Sequence, residues 1–342
     1  MTIAPNGVDP ALAEMMDAVF AEYRETHSPA LPCELDTTLW RRLQDLGLVR
    51  LTGEEEAGGS GASWYEAAEL LSAAVRHGVR LPLAEHDLLA CWLLDANGMD
   101  CDDAVRTVCL LDDRGTASAV PWTSDAERVV VVWRVDGQYR AADVESAALD
   151  ITRSTNMIGE PRDTVVAEPA TLNGIPLASS LVARLQLKSA LVRSIQVCAA
   201  LDRTLQLSIE HATSRNQFGR PLAKFQAVQN LIADAAAEAA LGRAATEAAL
   251  TAAVTSEWSA SNLDFLVAVA RSCTGHAASV VVRNAHQVHG AMGTTREHRL
   301  HEFTRPALAW RSEFGTVRYW DDRVTTAALQ AGATELWSLI TD

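Results

Sequence analysis

Between residues 191 and 209 the apolar side chains of Leu191, Ile195, Cys198, Leu201, Leu205 and Ile209 recur every three or four positions. That spacing makes one continuous apolar face on a long helix, which must be covered by other helices. The pattern stops at Arg215-Asn216-Gln217-Phe218-Gly219-Arg220-Pro221-Leu222-Ala223-Lys224-Phe225-Gln226, where Gly219 and Pro221 break the helix. An alanine-rich helical pattern follows over residues 223–254, a third over 261–288, and more helix from Arg296 to the C-terminus. Four long helices joined by short turns predict an antiparallel bundle over 177–342.

Upstream, residues 1–103 also read as helical. Leu12, Met15, Met16, Val19 and Phe20 keep helical spacing, and Leu39, Trp40, Leu43 and Leu46 repeat it before Gly47. The glycine-rich turn Gly58-Gly59-Ser60-Gly61 leads into a helix over 63–77, with Ser63 and Glu66 placed as a capping box. That turn lacks the Lys-Ser/Thr of a phosphate loop and the strand that precedes one. A helix over 83–97 closes this part. Between 104 and 176 the texture changes to short β-branched runs at 105–111, 128–135 and 164–166. They predict a small barrel or sandwich, with Asp136-Gly137 as a tight hairpin. The fold class is α+β, mainly α: an N-terminal helical domain (1–103), a middle β-domain (104–176) and a C-terminal four-helix bundle (177–342).

A net charge of −15 on 342 residues argues against nucleic acid or an anionic membrane as partner. The six cysteines form no C-x-x-C pair or zinc spacing and read as reduced thiols. The first residues lack the basic and apolar regions of a signal peptide, and no apolar run is read as a membrane span. The expectation is a cytoplasmic protein.

The break at 215–226 places a guanidinium, an amide and an aromatic ring within four residues, a grouping suited to a phosphate and a planar ring. The whole string R-x-Q-F-G-x-P-L-x-x-F-Q resembles the flavin-contacting turn of the acyl-CoA dehydrogenase family. A second stretch, Gln287-Val288-His289-Gly290-Ala291-Met292-Gly293, resembles that family's Q-x-x-G-G/A-x-G loop. The order helix, β, helical bundle is similar to the family layout along nearly the whole chain. The resemblance implies FAD as cofactor, with contacts from Arg215, Gln217, Phe218, Phe225, Gln226, Gln287, Gly290, Ala291 and Thr316. In the family these two motifs reach across a subunit interface to FAD held mainly by the neighbour.

The same resemblance implies a reaction in which a carboxylate takes the α-proton of an acyl-CoA thioester while hydride passes to the flavin. Counting forward from Gly293 puts the family's common base at Phe314, and counting back from Arg215 puts the alternative base at Ser189. Neither side chain can accept that proton. Glu313 is the adjacent carboxylate, but on a helix one residue turns it about 100° away. The flavin-ring elements of the β-domain are also missing. Trp122 in Pro121-Trp122-Thr123-Ser124-Asp125 and Trp133 in the strand after it are remnants or ordinary packing. His286, His289, His298 and His301, with Glu297 and Glu302 nearby, have spacings open to a metal, but His289 falls inside the flavin loop and no metal is assigned. Arg296, Arg299, Arg305, Arg311 and Arg318 are spread irregularly and read first as a solvated face.

These readings converge on the smaller, base-lacking subunit of a heteromeric acyl-CoA dehydrogenase, resembling the α2β2 enzymes that shorten steroid side chains in actinobacteria. A partner subunit would supply the catalytic Glu, the flavin-ring pocket and most of the acyl-CoA site. Two alternatives stand beside it: a self-sufficient homo-oligomer using Glu313, and a flavin-free scaffold.

Overall fold

The computed structural model of the chain describes residues 7–29 and 31–341, in two compact units, Met1–Lys188 and Ser189–Asp342.

In the first unit, helices α1 (Pro10–Thr26), α2 (Thr37–Asp45) and α3 (Trp64–His77) each begin at a side-chain cap. Asp9 accepts from the Ala11 amide, and Asp36 from those of Thr38 and Leu39. Ser63 and Glu66 form the expected capping box, with Ser63 Oγ accepting from Tyr65 N–H at 3.1 Å and Glu66 accepting from Ser63 N–H at 2.9 Å. The helix expected over 83–97 differs from the prediction in kind. Ala84–Cys91 winds as a π-helix, and only Trp92–Ala96 (α4) is α-helical. All eight residues of the wide segment are buried, including Glu85, His86 and Asp87. Two of these reach outside the helix for backbone partners: Asp87 accepts from Thr52 N–H at 3.0 Å and His86 Nδ1 from Arg106 N–H at 3.1 Å. Such non-local bonds are invisible to helical periodicity.

The β-part is a sandwich. One sheet has the order β1 (Arg106–Leu110), β3 (Arg128–Val135), β4 (Gln138–Glu145), β7 (Ile175–Leu177); the other has β2 (Thr116–Pro121), β6 (Arg162–Val166), β5 (Asp150–Thr152). The β3–β4 hairpin turns on Asp136 and Gly137, both at positive φ as a type I′ turn requires. Strand β3 is buried on both faces, which explains its unbroken run of valines. Val130 and Val132 pack with Leu89, Leu93 and Leu94; Val129, Val131 and Trp133 face Ala117, Val120 and Val165 of the other sheet. A Cβ at Gly174 would lie 2.1 Å from the Trp133 ring and 2.8 Å from the Ala141 carbonyl oxygen. Trp133 is 1% exposed and has nowhere to go. Gly174→Ala therefore costs about 2 kcal/mol through overpacking, read as a lowered urea midpoint with an unchanged m-value.

Helix α5 (Ser179–Ser214) begins in the first unit; the second unit carries it from Ser189 onward to a small hairpin, β8 (Asn216–Gln217) and β9 (Arg220–Pro221), then α6 (Gln226–Thr255), α7 (Leu263–His289), α8 (His301–Trp310) and α9 (Val317–Thr341). Along α6 the buried positions Ala235, Ala239, Gly242, Thr246, Ala249 and Ala253 step alternately by four, three, four, three and four. Their small side chains let α6 and α7 pack closely; a Cβ at Gly242 would sit 3.5 Å from the Thr274 Cα. By length and composition α7 could cross a membrane, contrary to the expectation that no run is long enough. More than half of its most apolar stretch is buried within the fold, as in a core helix. The helix expected from Arg296 onward is α8 and α9, with a turn between them. Phe314 and Gly315 have φ of 52° and 113°, outside the helical range. Arg271 holds the turn: its Nη2 donates to the carbonyls of Arg311 (3.0 Å), Glu313 (2.6 Å) and Gly315 (3.3 Å).

Candidate functional site

The stretch that ends α5 folds as a two-residue hairpin. Asn216 pairs with Pro221 and Gln217 with Arg220, leaving Phe218 and Gly219 at the corner with φ of 51° and 79°. Both central residues at positive φ again make the type I′ geometry, here with an aromatic where glycine or asparagine is usual. The hairpin holds Phe218 out in water, 90% exposed. Phe225 sits behind it, 6.2 Å away and edge-on, with the Arg220 guanidinium 4.2 Å over its face. Arg215, Gln217 and Gln226 are exposed beside it, and Gln226 Nε2 donates to Asn230 Oδ1 at 2.9 Å.

The second motif lies at the end of α7. Gln287 is exposed on the last turn, and Gly290, at φ 60° and ψ −141°, leaves the helix in a conformation open to glycine. Nothing lies within 4 Å of where a Gly290 Cβ would be, and Ala291 is exposed next to it. The two motifs are neighbours: the ring of His211, one helical turn before Arg215, stacks on that of His289 at 4.5 Å. A guanidinium, exposed amides, a bare backbone loop and an aromatic face therefore lie at one end of the bundle. This donor set fits a dinucleotide's diphosphate and an adjoining ring.

The two positions expected for a base are plain in the structure. Ser189 is buried in α5, and Phe314 is 38% exposed at positive φ, its ring 5.1 Å from the Arg193 guanidinium. Glu313 lies in a turn, so the helical objection to it falls away, but its carboxylate is committed elsewhere. Arg193 Nε donates to Glu313 Oε2 at 2.7 Å, and the Arg193 side chain is 1% exposed. Thr316 Oγ1 accepts from Tyr319 N–H at 3.2 Å and so caps α9. Trp122 and Trp133 are both buried in the β-sandwich, so packing accounts for them. Of the C-terminal arginines, Arg299 pairs with Glu302 (3.2 Å), Arg318 with Asp322 (3.9 Å), and Arg311 donates to Ser279 (2.5 Å).

Sequence reasoning missed a buried charged group in the first unit. Lys188 is 2% exposed, with Nζ 4.4 Å from the ring centres of both Trp64 and Trp92, and burial holds its ammonium well below the usual range. Burial pushes the Asp87 carboxyl up to about 7, against hydrogen bonds from Thr52. The folded chain thus holds this proton over a pH range where the unfolded chain, near 3.8, has released it. The resulting stabilisation is complete below that lower value and lost as pH rises through about 7. Asp87→Asn removes this dependence. Urea midpoints measured from pH 4 to 8 should fall for the native chain relative to the variant, leaving the variant about 1 kcal/mol or more ahead at pH 8.

Comparison with known proteins bears on the whole chain. Residues 8–101 match the family description "Acyl-CoA dehydrogenase, N-terminal domain", and residues 184–319 match "Acyl-CoA dehydrogenase, C-terminal domain". The chain is 28% identical over 286 residues to the acyl-CoA dehydrogenase IpdE2 of Mycobacterium tuberculosis, covering 80% of each. Among solved structures it is similar in fold to a chain of the ChsE4-ChsE5 complex from Mycobacterium tuberculosis, with TM-score 0.81, 20% identity and coverage of 97% of this chain and 100% of that one. It is likewise similar to a chain of the Tcur3481-Tcur3483 steroid ACAD G363A variant, with TM-score 0.80, 19% identity and coverage of 95% and 98%. Two matched domains, flanking a β-sandwich in the family's order, settle the classification: the chain belongs to the acyl-CoA dehydrogenase family.

Proposed function

We propose that this chain is the base-lacking subunit of a two-chain acyl-CoA dehydrogenase. Its hairpin, through Arg215, Gln217 and Phe218, and its α7 loop, through Gln287, Gly290 and Ala291, grip the ADP side of FAD held mainly by a partner subunit. Phe225 and Gln226 back the hairpin. FAD supplies the hydride acceptor when bound. The partner supplies the catalytic Glu, the flavin-ring pocket and most of the acyl-CoA site. The observation that carries this reading is the contrast within the second unit. The motif residues stand exposed at one end of the bundle, while Phe314 and Ser189 stand at the two positions expected from the sequence for a base and Glu313 is taken by Arg193.

Two solved relatives in fold are named as two-component assemblies, and one of them as a steroid acyl-CoA dehydrogenase. These likenesses favour a heteromeric partner and, as substrate, the CoA ester of a steroid side chain. The Arg193–Glu313 pair weighs against a self-sufficient enzyme using Glu313.

The test is a flavin spectrum and native mass of the chain alone and after co-expression with a base-bearing dehydrogenase subunit. The expected result is a colourless lone chain and about one FAD per pair of chains in the assembly. One FAD per chain in a homo-oligomer of this sequence would overturn the proposal.

A further inference from the structure

The ends of α5 and α7 and the segment before α8 bring together three imidazoles that are far apart in sequence. The ligand nitrogens of His211, His289 and His298 all lie within 4.8 Å of one another. Ring centres are 4.5 Å apart for His211–His289, 4.6 Å for His289–His298 and 6.0 Å for His211–His298. The central ring is the informative one. His289 is 5% exposed, and its Nδ1 lies 2.8 Å from the Ala285 carbonyl oxygen. A carbonyl only accepts, so Nδ1 carries the proton and Nε2 is left with a lone pair. That Nε2 is buried with no hydrogen-bond partner. An unanswered buried acceptor costs free energy unless something donates to it or binds it. Burial first, then the neighbouring imidazoles, hold His289 down at about 4, and burial also lowers His211 and His298.

We propose that His211, His289 and His298 form a binding site for a divalent transition-metal ion of the zinc class, clasping the end of α5 to the end of α7. A neutral imidazole whose other nitrogen donates to a backbone carbonyl is the usual form of a metal-ligating histidine. Three nitrogen donors suit zinc, nickel or copper, whereas magnesium and calcium call for oxygen. Zn–N bonds of about 2.0–2.1 Å in a tetrahedron set ligand nitrogens about 3.4 Å apart, so the cluster has to contract by up to roughly 1.4 Å. The half-buried rings of His211 and His298 supply that movement by turning about their side-chain bonds. His298 is the costliest ligand: its Nδ1 accepts from Leu300 N–H at 3.1 Å, which places its proton on Nε2. Ligation there displaces that proton or breaks that bond. The pairs suggested by spacing alone are not the set the fold assembles. His286 Nε2 is 3.2 Å from Thr304 Oγ1, and His301 Nδ1 is 2.8 Å from the His298 carbonyl.

The site is independent of the shared-flavin reading and is tested without flavin. The full chain, stripped of metal and of any affinity tag, is titrated with Co²⁺ by absorbance and with Zn²⁺ against a competing chelator. The expected result is one ion per chain, with sub-micromolar Zn²⁺ affinity and the intense visible bands of low-coordinate cobalt. His211→Gln and His298→Gln each weaken Zn²⁺ at least 100-fold while the metal-free variants keep the native circular dichroism. His301→Gln leaves affinity unchanged. The absence of a stoichiometric ion, or wild-type affinity in His211→Gln, would overturn the proposal, whatever the outcome with His289→Gln in the buried position.

Discussion

Glu313→Gln lowers the unfolding free energy by about 3 kcal/mol, with or without flavin bound to the assembled enzyme. The reason lies in two buried guanidiniums: the Glu313 carboxylate pairs with Arg193 and also offsets the charge of Arg271. Arg193 and Arg271 are each 1% exposed, and Glu313 is the acidic partner 2.7 Å from Arg193 Nε. Burial, and then Arg193, push the Arg271 guanidinium down to about 9, with Glu313 opposing the shift. Glutamine preserves the shape and one acceptor but removes the charge. Two desolvated cations then face each other across the turn that Arg271 holds. Urea unfolding at pH 7 reads the loss directly. Adding Arg193→Met should restore much of it, because a buried ion pair replaced as a pair costs far less than one broken. A base role for Glu313 predicts the reverse pattern: near-native stability, and turnover reduced by orders of magnitude.

Arg215→Ala in the co-assembled enzyme should weaken FAD about 10- to 100-fold, the loss of one or two charge-assisted hydrogen bonds to phosphate. The hairpin itself should survive. Its frame is backbone: Arg215 N–H donates to the His211 carbonyl and Leu222 N–H to the Arg215 carbonyl, each at 2.9 Å. Flavin absorbance per pair of chains and titration of the flavin-free assembly measure the effect. Retention of flavin within twofold of the unaltered assembly would remove the hairpin from the cofactor site and favour a scaffold role.

What the chain discloses in one dimension is what neighbouring residues decide among themselves. The Ser63–Glu66 capping box and the Asp136–Gly137 hairpin each depend on side chains within a few positions, and each stands where expected; the stripe of α5 is buried at Leu191, Ile195, Cys198 and Leu201, but Ile209 at its end is 43% exposed. Strands β5 and β7 are three residues each, too short for a pattern, and β2, built largely of small side chains, exists through its pairing with the distant β6. The turn between α8 and α9 was read as helix because what holds it open is Arg271, about 40 residues earlier. Both stretches proposed to contact flavin are legible as strings. That they adjoin, and that His211 and His289 meet between them, follows from helix packing that spacing does not encode.

Strand β3 divides its side chains between two cores, and this constrains the order in which the chain can mature. Leu89, Leu93 and Leu94 leave the ribosome well before Val130 and Val132, and before Leu177, Val182 and Leu185, which complete their core. Until the strand emerges and pairs, those leucines have no finished surface to bury, so the nascent N-terminal helices remain a sticky, incomplete body. Synthesis stalled near residue 100 should therefore yield a chaperone-bound fragment, while release beyond Leu185 permits one cooperative closure of helices and strands together.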